Sequence, residues 1–227
     1  MNKYLKWTLI IWGTICGVIL LVAILSYVSS LLIFSSIFDD MTYSSKKELI
    51  ENYELKQKEI NELYIYAKSI TNNGEKYVDI EFKNDKNIEI FRVEANSIEI
   101  AKEQENNSPK PNRYTKSCYH LEINSKEVDA LLSRLDWKKE TLKTLKVKLD
   151  AANCISVESG EPMTIGFKRN GMGKYFYKIF ENPLSDSLIN NKYNDGCTYI
   201  FYKDNIVLEY GGGAFGMQCF ETYYDKK

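Results

Sequence analysis

Trp7-Thr8-Leu9-Ile10-Ile11-Trp12 begins a stretch, residues 7–38, that contains no Asp, Glu, Lys or Arg. A helix that crosses the roughly 30 Å hydrocarbon core of a membrane needs about 20 apolar residues, and this stretch is long enough. Its serines gather in the second half, so we expect residues 31–38 to lie at the interface or to extend a tilted helix. The sequence predicts a single-pass transmembrane anchor at 7–38, after a short tail at 1–6 and before one domain at 39–227.

The alternative is that this stretch is a cleaved signal peptide. The apolar region of a signal peptide has only about 7 to 15 residues and ends at a small-residue site. The stretch here is longer, and its serine pairs provide only a weak cleavage site. A lipoprotein signal would need small residues directly before Cys16, where Ile15 stands. We therefore expect an anchor that is not cleaved.

The charges that flank the anchor indicate its orientation. Lys3 and Lys6 precede it and Asp39-Asp40 follow it, and basic residues favour the cytoplasmic side. Lys46-Lys47 count in the opposite direction. A composition rich in Lys, Asn, Ile and Tyr, with only 4 Pro, is typical of an AT-rich bacterial genome. We predict a bacterial inner-membrane protein with a cytoplasmic amino terminus and a domain in the periplasm or outside the cell.

The charge balance limits the choice of partners. The chain has 30 basic and 31 acidic residues, and two of the basic residues precede the anchor, so the domain is slightly acidic. Because no basic surplus is available to neutralise phosphates, the sequence argues against nucleic acid. The predicted partners are the lipid bilayer, through residues 7–38, and a protein.

The cysteines also bear on the compartment. Cys16 lies in the anchor, whereas Cys118, Cys154, Cys197 and Cys219 lie in the domain. An even number suits an oxidising compartment and allows three pairings. A Cys197–Cys219 bridge would close a loop of roughly 20 residues, but the pairing stays open, and four buried thiols in a cytosolic domain are the alternative. With one His and no C-x-x-C spacing, we expect no metal, and no motif indicates a cofactor.

A capping box, Ser45 to Glu48, opens a predicted helix at about 46–70. Its apolar residues form one stripe with the helical period, interrupted by Lys56. The stripe consists of Leu49, Tyr53, Ile60, Leu63, Ala67 and Ile70. We expect it to pack on the sheet of its own domain; a short dimeric coiled coil is the alternative.

The rest of the domain alternates between predicted hairpins and helices. The first hairpin joins 78–82 to 88–93, a further strand is expected near 98–100, and 102–116 is predicted to be an exposed loop. A strand at 118–123 precedes two helices, one capped by Asn124 and ending near Leu135, the other at 141–153. Asn170-Gly171 is a strong hairpin signal between 163–168 and 174–180.

After a predicted loop at 185–196, another hairpin joins 197–202 to 206–210, and 217–224 is the last predicted strand. Such segregated elements predict an α+β fold with a mainly antiparallel sheet and about three helices. Residues 211–216 formally contain G-x-G-x-x-G, but the segment after the last glycine has strand character, whereas a dinucleotide site needs a helix there. We interpret these glycines as a bend in the chain.

Catalytic candidates are weak in this sequence. Cys118 and His120, the only histidine, would share one face of a strand, roughly 7 Å apart, but no residue pattern marks an orienting acid or an oxyanion site. Glutamates on several predicted strands, such as Glu81, Glu158 and Glu209, are interpreted as a solvated sheet face. We therefore predict that the protein is not an enzyme.

Aromatic residues crowd the last third of the chain. Tyrosine is enriched at interfaces because it offers a rigid ring and a polar hydroxyl. The predicted partner-binding residues are Tyr199, Tyr202, Tyr210, Phe215, Tyr223 and Tyr224. The predicted function is a membrane-anchored extracytoplasmic domain that binds another envelope or secreted protein, for example as an immunity-type inhibitor. The alternatives are a sensor or scaffold subunit that dimerises through 46–70 and an enzyme that uses Cys118 with His120.

Overall fold

The computed structural model describes residues 12, 15–31, 44–71, 76–95, 115–171, 173–211 and 218–220. The chain divides into two compact units, Met1–Met41 and Thr42–Lys227. In the first unit, residues 15–31 are helical, and serine hydroxyls donate to carbonyls one turn back, as Ser30 does to Ser26 O at 2.8 Å. Within the described residues, no helix combines the length and the apolar character needed to cross a membrane. The remainder of the predicted anchor lies outside the described residues.

The second unit contains an eight-stranded sheet in the order β3-β2-β1-β4-β5-β6-β8-β7, in which all neighbouring strands are antiparallel. The strands are β1 Lys76–Phe82, β2 Asn87–Ala95, β3 Thr115–Glu122, β4 Ser156–Glu158, β5 Met163–Asn170, β6 Gly173–Ile179, β7 Tyr199–Lys203 and β8 Ile206–Gly211. The helices of this unit are α1 Lys46–Thr71, α2 Lys126–Arg134, α3 Lys139–Ala151 and α4 Asp186–Leu188, followed by a π-helical turn at Ile189–Tyr193. The predicted α+β class with an antiparallel sheet is confirmed.

Helix α1 begins where its capping residue predicts. Ser45 Oγ accepts the N–H of Glu48 at 3.2 Å, which satisfies one of the unpaired donors of the first turn. The apolar stripe from Leu49 to Ala67 lies in the main hydrophobic core. The prediction that the stripe packs within its own domain is therefore confirmed, and its side chains are not available for a coiled-coil seam.

Lys56 interrupts α1, and its backbone leaves the helical region with φ −120° and ψ 19°. Neither Pro nor Gly is present to cause the kink, although these residues cause most sharp kinks. Lys56 occupies a position of the apolar stripe, where a regular helix would direct its charge towards the core. The bend lets its ammonium group lie 3.6 Å from Glu59 instead.

One face of the sheet packs against the helices through apolar side chains such as Ile80, Ile165 and Leu208. At the centre of this core, the Tyr177 hydroxyl donates to Leu49 O at 2.7 Å and accepts from Asn52 Nδ2 at 3.1 Å. Because Tyr177 is fully buried, these bonds fix α1 in register over β6.

Several predicted boundaries need correction. Ser125, not Asn124, caps α2, since its Oγ accepts the N–H of Val128 at 3.3 Å. Strand β3 begins at Thr115, inside the predicted loop 102–116, and the predicted loop 185–196 contains α4 and the π-helical turn. Residues 218–220 are not in a strand. The predicted strand near 98–100 and the remainder of 217–224 lie outside the described residues.

Candidate functional site

The face of the sheet that points away from the helices carries charged and polar side chains on β1, β2 and β4. Along β1, Tyr77, Asp79 and Glu81 alternate with the core residues and therefore point to the other side. The strand register places Arg92 of β2 and Glu158 of β4 directly beside Asp79. We refer to Tyr77, Asp79, Glu81, Arg92 and Glu158, together with Tyr119 of β3, the neighbour of β2, as the charged face.

Glu81 lies at the inner end of the charged face and is only 2% exposed. Its Oε1 accepts from Arg169 Nε at 2.7 Å, and its Oε2 accepts from Lys174 Nζ at 2.8 Å. Lys174 Nζ also donates to Ser156 Oγ at 2.9 Å. A buried carboxylate is tolerated when it is paired and hydrogen-bonded in this way. Glu81 is thus held in one geometry by side chains from two other strands, β5 and β6, and Ser156 of β4 fixes the lysine in turn.

Lys174 reaches Glu81 by lying across the two strands between them, β5 and β4. Its side chain passes over Gly166 of β5, where an added Cβ would stand 3.2 Å from Lys174 Cδ and 2.0 Å from Ser156 Oγ. Only glycine leaves room for the lysine to lie flat on the sheet at this position. Sequence reasoning missed this contact, and an isolated glycine inside a strand was the one signal for it.

The carboxylate of Asp79 is less closely paired with basic groups than that of Glu81. Its closest ion-pair partner is Arg92, with Nη1 at 3.8 Å from Oδ2, and its side chain is 13% exposed. Burial raises the pKa of Asp79 to about 6; Glu158 and Glu81 also raise it, and Lys174 and Arg92 oppose the rise. Asp79 therefore changes its charge near pH 6 instead of near its ordinary pKa of 3.8.

Tyr77 and Tyr119 complete the outer part of this face. The Tyr77 hydroxyl donates to Glu158 Oε1 at 2.6 Å, and burial, together with this bond, raises the pKa of Tyr77, so the phenol stays a neutral donor. Tyr119 lies on β3, the edge strand of the sheet among the described residues, and is 54% exposed. The hydrogen bond that Arg92 donates to the Tyr119 hydroxyl is the main reason why the pKa of Arg92 is raised. The outer end thus combines an exposed tyrosine with an arginine.

The aromatic residues predicted to bind a partner mostly have partners inside the domain. Tyr210 is only 9% exposed and stacks on Tyr175 at 4.5 Å between ring centroids, so its ring is not available at the surface. Tyr199 and Tyr202 are half-buried and bond to Glu209 and Glu54. Phe215, Tyr223 and Tyr224 lie outside the described residues.

The edge of β7, which contains Tyr199 and Tyr202, is covered by the segment just before it. Asp195 Oδ1 accepts the N–H of Tyr199 at 2.8 Å, Gly196 N–H donates to Tyr199 O at 3.2 Å, and Asn194 Oδ1 accepts the N–H of Phe201 at 3.3 Å. Backbone groups covered in this way cannot pair with a strand of another chain.

The structure joins Cys197 to Cys219, with an S–S distance of 1.91 Å, and leaves Cys118 and Cys154 as free thiols. The expectation that Cys118 and Cys154 also take part in bridges needs correction. Cys118 lies on β3 and Cys154 just before β4, with β2 and β1 between them. Three strand spacings amount to about 14 Å, beyond the reach of a disulfide.

Cys118 and His120 do not share one face of β3. His120 has a φ of 53°, which breaks the regular alternation of the strand. Cys118 packs against the core, whereas His120 is exposed and its Nδ1 lies 3.2 Å from Glu89 Oε2. The geometry of a thiol–imidazole pair is therefore not present.

The interpretation of the strand glutamates as a solvated face is wrong for Glu81, which is buried, and for Glu209, whose Oε2 lies 2.9 Å from Lys178 Nζ with 16% of the side chain exposed.

Within the described part of the chain, no group of three or more His, Cys, Asp or Glu residues is arranged to hold a metal ion. Comparison with protein-family models, with curated proteins and with solved structures gives no match.

Proposed function

We propose that the chain is a membrane-tethered, extracytoplasmic binding domain that contacts another envelope or secreted protein, for example as an immunity-type inhibitor, through its charged face. The observation that carries the proposal is the outer end of that face, where Tyr119 is 54% exposed beside Arg92, whose Nη1 stands 3.8 Å from Asp79. Tyrosine and arginine are enriched among the residues that dominate the affinity of protein interfaces. Half-buried charges also favour a partner with complementary charges.

The position at the outer face of a membrane is supported by two further observations. The uncharged stretch at 7–38 is long enough to act as an anchor, and a bridge such as Cys197–Cys219 persists in oxidising compartments. Fusions of alkaline phosphatase and of green fluorescent protein to the carboxyl terminus test the topology. We expect phosphatase activity and no fluorescence; fluorescence in the cytosol alone would overturn the exported location.

The two alternative functions have less support. A dimeric stalk formed by α1 needs the stripe from Leu49 to Ala67, which is inside the core of its own domain. An enzyme that uses Cys118 with His120 needs the two side chains to meet, whereas one packs inward and the other contacts Glu89.

Site-specific photo-crosslinking tests the proposed contact. A photoreactive phenylalanine derivative is placed at position 119 of the full chain, and, as the matched control, at Val147 of α3, which is 66% exposed on the helical side of the sheet. We expect one protein adduct in intact cells from position 119, none from position 147, and loss of the adduct when Arg92→Glu is added. Adducts that are the same at both positions, or no adduct at position 119, would refute the contact.

A further inference from the structure

A groove of about 650 Å³ lies between α1 and the turn that joins β7 to β8. Its size is within the roughly 300–1,000 Å³ typical of small-molecule sites. Ile60, Ile179 and Ile206 line it and are at most 5% exposed, so they form an apolar base. The groove is on the helical side of the sheet, and none of the charged-face residues lines it.

The kink of α1 is located at this groove. Residues on both sides of Lys56, from Glu54 to Lys58, are among those that line it. Local departures from helical geometry without Pro or Gly often mark functional positions. Here the departure coincides with a concave surface, and Leu55, which is 80% exposed, lies at its rim.

The exposed rim of the groove is rich in planar polar groups. Amide and carboxylate side chains each present two hydrogen-bonding atoms in one plane, a spacing that suits pairs of neighbouring hydroxyl groups. The exposed lining residues of this kind are Glu54, Gln57, Asn61 and Asp204. Asn205 also lines the groove, but it is half-buried and its Nδ2 donates to Phe180 O. The lining contains two carboxylates, Glu54 and Asp204, and the ammonium group of Lys58, and Lys203 Nζ pairs with Glu54 at 3.0 Å. The charges at the groove therefore balance, which favours a neutral ligand.

Two tyrosines form the aromatic part of the lining, Tyr53 and Tyr64. Tyr53 forms a hydrogen bond with Gln57, and its ring lies 4.8 Å from Lys203 Nζ. The Tyr64 ring lies 5.9 Å from Lys68 Nζ, and Lys68 in turn pairs with Glu181 at 2.5 Å. Tyr53 is only 6% exposed, so its ring supports the groove from within. Tyr64 is half-buried and is the ring that can contact a ligand; its contact with Lys68 holds it in place before the ligand arrives, which lowers the entropic cost of binding.

We propose that this groove binds a neutral saccharide. A sugar ring has hydroxyl groups at its edge and C–H groups on its faces. The hydroxyl groups match the amide and carboxylate rim, and the weakly positive C–H groups match the negative face of the Tyr64 ring. The site is independent of the proposed protein contact, because its residues belong to α1, to the end of β6 and to the β7–β8 region rather than to the charged face.

Saturation-transfer difference NMR on the full chain tests the inference, in a zwitterionic detergent because a detergent with a sugar headgroup would compete. The probes are chitotetraose, maltotetraose and mannotetraose, each titrated to about 10 mM, which is enough to saturate a site with a dissociation constant of about 1 mM. We expect saturable binding of at least one probe. Absence of saturable binding for all three would overturn the inference.

Substitutions in the groove assign the binding to this site. Tyr64→Ala should weaken binding at least about tenfold and Asn61→Ala about fivefold, whereas Tyr64→Phe, which keeps the ring, should change it less than about threefold. Tyr119→Ala, the same change on the charged face, is the matched control and should leave saccharide binding unchanged. Equal affinity of the parent chain and of Tyr64→Ala, with both folded by circular dichroism, would refute the site.

Discussion

Replacing Gly166 by Ala tests whether Lys174 lies across the sheet to reach Glu81. The new Cβ would stand 2.0 Å from Ser156 Oγ and 3.2 Å from both Lys174 Cδ and Cε. A contact of 2.0 Å does not occur between real atoms, so the serine hydroxyl must move, and at 3.2 Å the lysine stem must shift by a few tenths of an ångström. The bonds from Lys174 Nζ to Glu81, at 2.8 Å, and to Ser156, at 2.9 Å, are then weakened together.

The expected loss of stability has two parts. An extra methyl group in a filled site costs about 1–3 kcal/mol. A hydrogen bond to a charged group contributes about 1.5–3 kcal/mol, but Arg169 still binds Glu81 at 2.7 Å, so only the lower end of that range applies. We expect Gly166→Ala to lower the free energy of unfolding by about 3 kcal/mol.

Unfolding in guanidinium chloride, followed by Trp137 fluorescence, measures this loss. Trp137 is half-buried and its Nε1 donates to Ile70 O at 3.1 Å, so its emission reports on the domain once Trp7→Phe and Trp12→Phe remove the other two tryptophans. A lower midpoint with an unchanged slope is the expected signature.

A double-substitution cycle supplies the control. Ser156→Ala removes the oxygen that the new Cβ would strike, so the pair Gly166→Ala/Ser156→Ala should be more stable, by about 1 kcal/mol or more, than the sum of the single effects predicts. Two results would refute the reasoning: a Gly166→Ala chain within about 0.5 kcal/mol of the parent, or purely additive effects in the cycle.

Two further predictions concern the disulfide and Asp79. The double substitution Cys197→Ser/Cys219→Ser should lower the free energy of unfolding by about 3 kcal/mol, because the bridge spans 22 residues. Alkylation of the denatured, non-reduced parent should label only Cys16, Cys118 and Cys154. Labelling of all five cysteines would contradict the bridge. Asp79→Asn should stabilise the domain by about 3 kcal/mol at pH 7.5, because one pKa unit corresponds to about 1.4 kcal/mol. The pKa of Asp79 rises from 3.8 to about 6 on folding, so its ionised form destabilises the fold above pH 6, and the cost disappears as pH falls towards 4. A gain that is equal at pH 4.5 and pH 7.5, from unfolding curves at both values, would contradict this cause.

Much of the fold could be predicted because it depends on local patterns. The stripe from Leu49 to Ala67 has the helical period, and Ser45 carries the capping hydroxyl, so α1 is recognisable from neighbouring residues alone. The hairpin of β5 and β6 is equally local: Asn170-Gly171 specifies its turn, and Gly171 adopts a φ of 57°, which glycine reaches without steric cost.

The candidate site could not be predicted in the same way. The sequence shows that Glu81 points to the face opposite the core, but not that this face is buried there or that Lys174, 93 positions away, would reach it. That contact depends on the strand order β1-β4-β5-β6 and on the register that places Ser156 beside Gly166. The opposite error occurs at Tyr210, which the sequence predicts to lie at the surface. It is a core residue, because its ring stacks on Tyr175.

The sequence by itself determined the uncharged stretch at 7–38, the periods of the helices and strands, and therefore the α+β class. These features depend on which neighbouring side chains share a face, and a single chain contains that information. Only the tertiary structure decided which carboxylates are enclosed, where α1 bends and which cysteines meet. The reason is that burial and strand register are properties of residues far apart in the chain, and the energy of a charge depends on the groups packed around it.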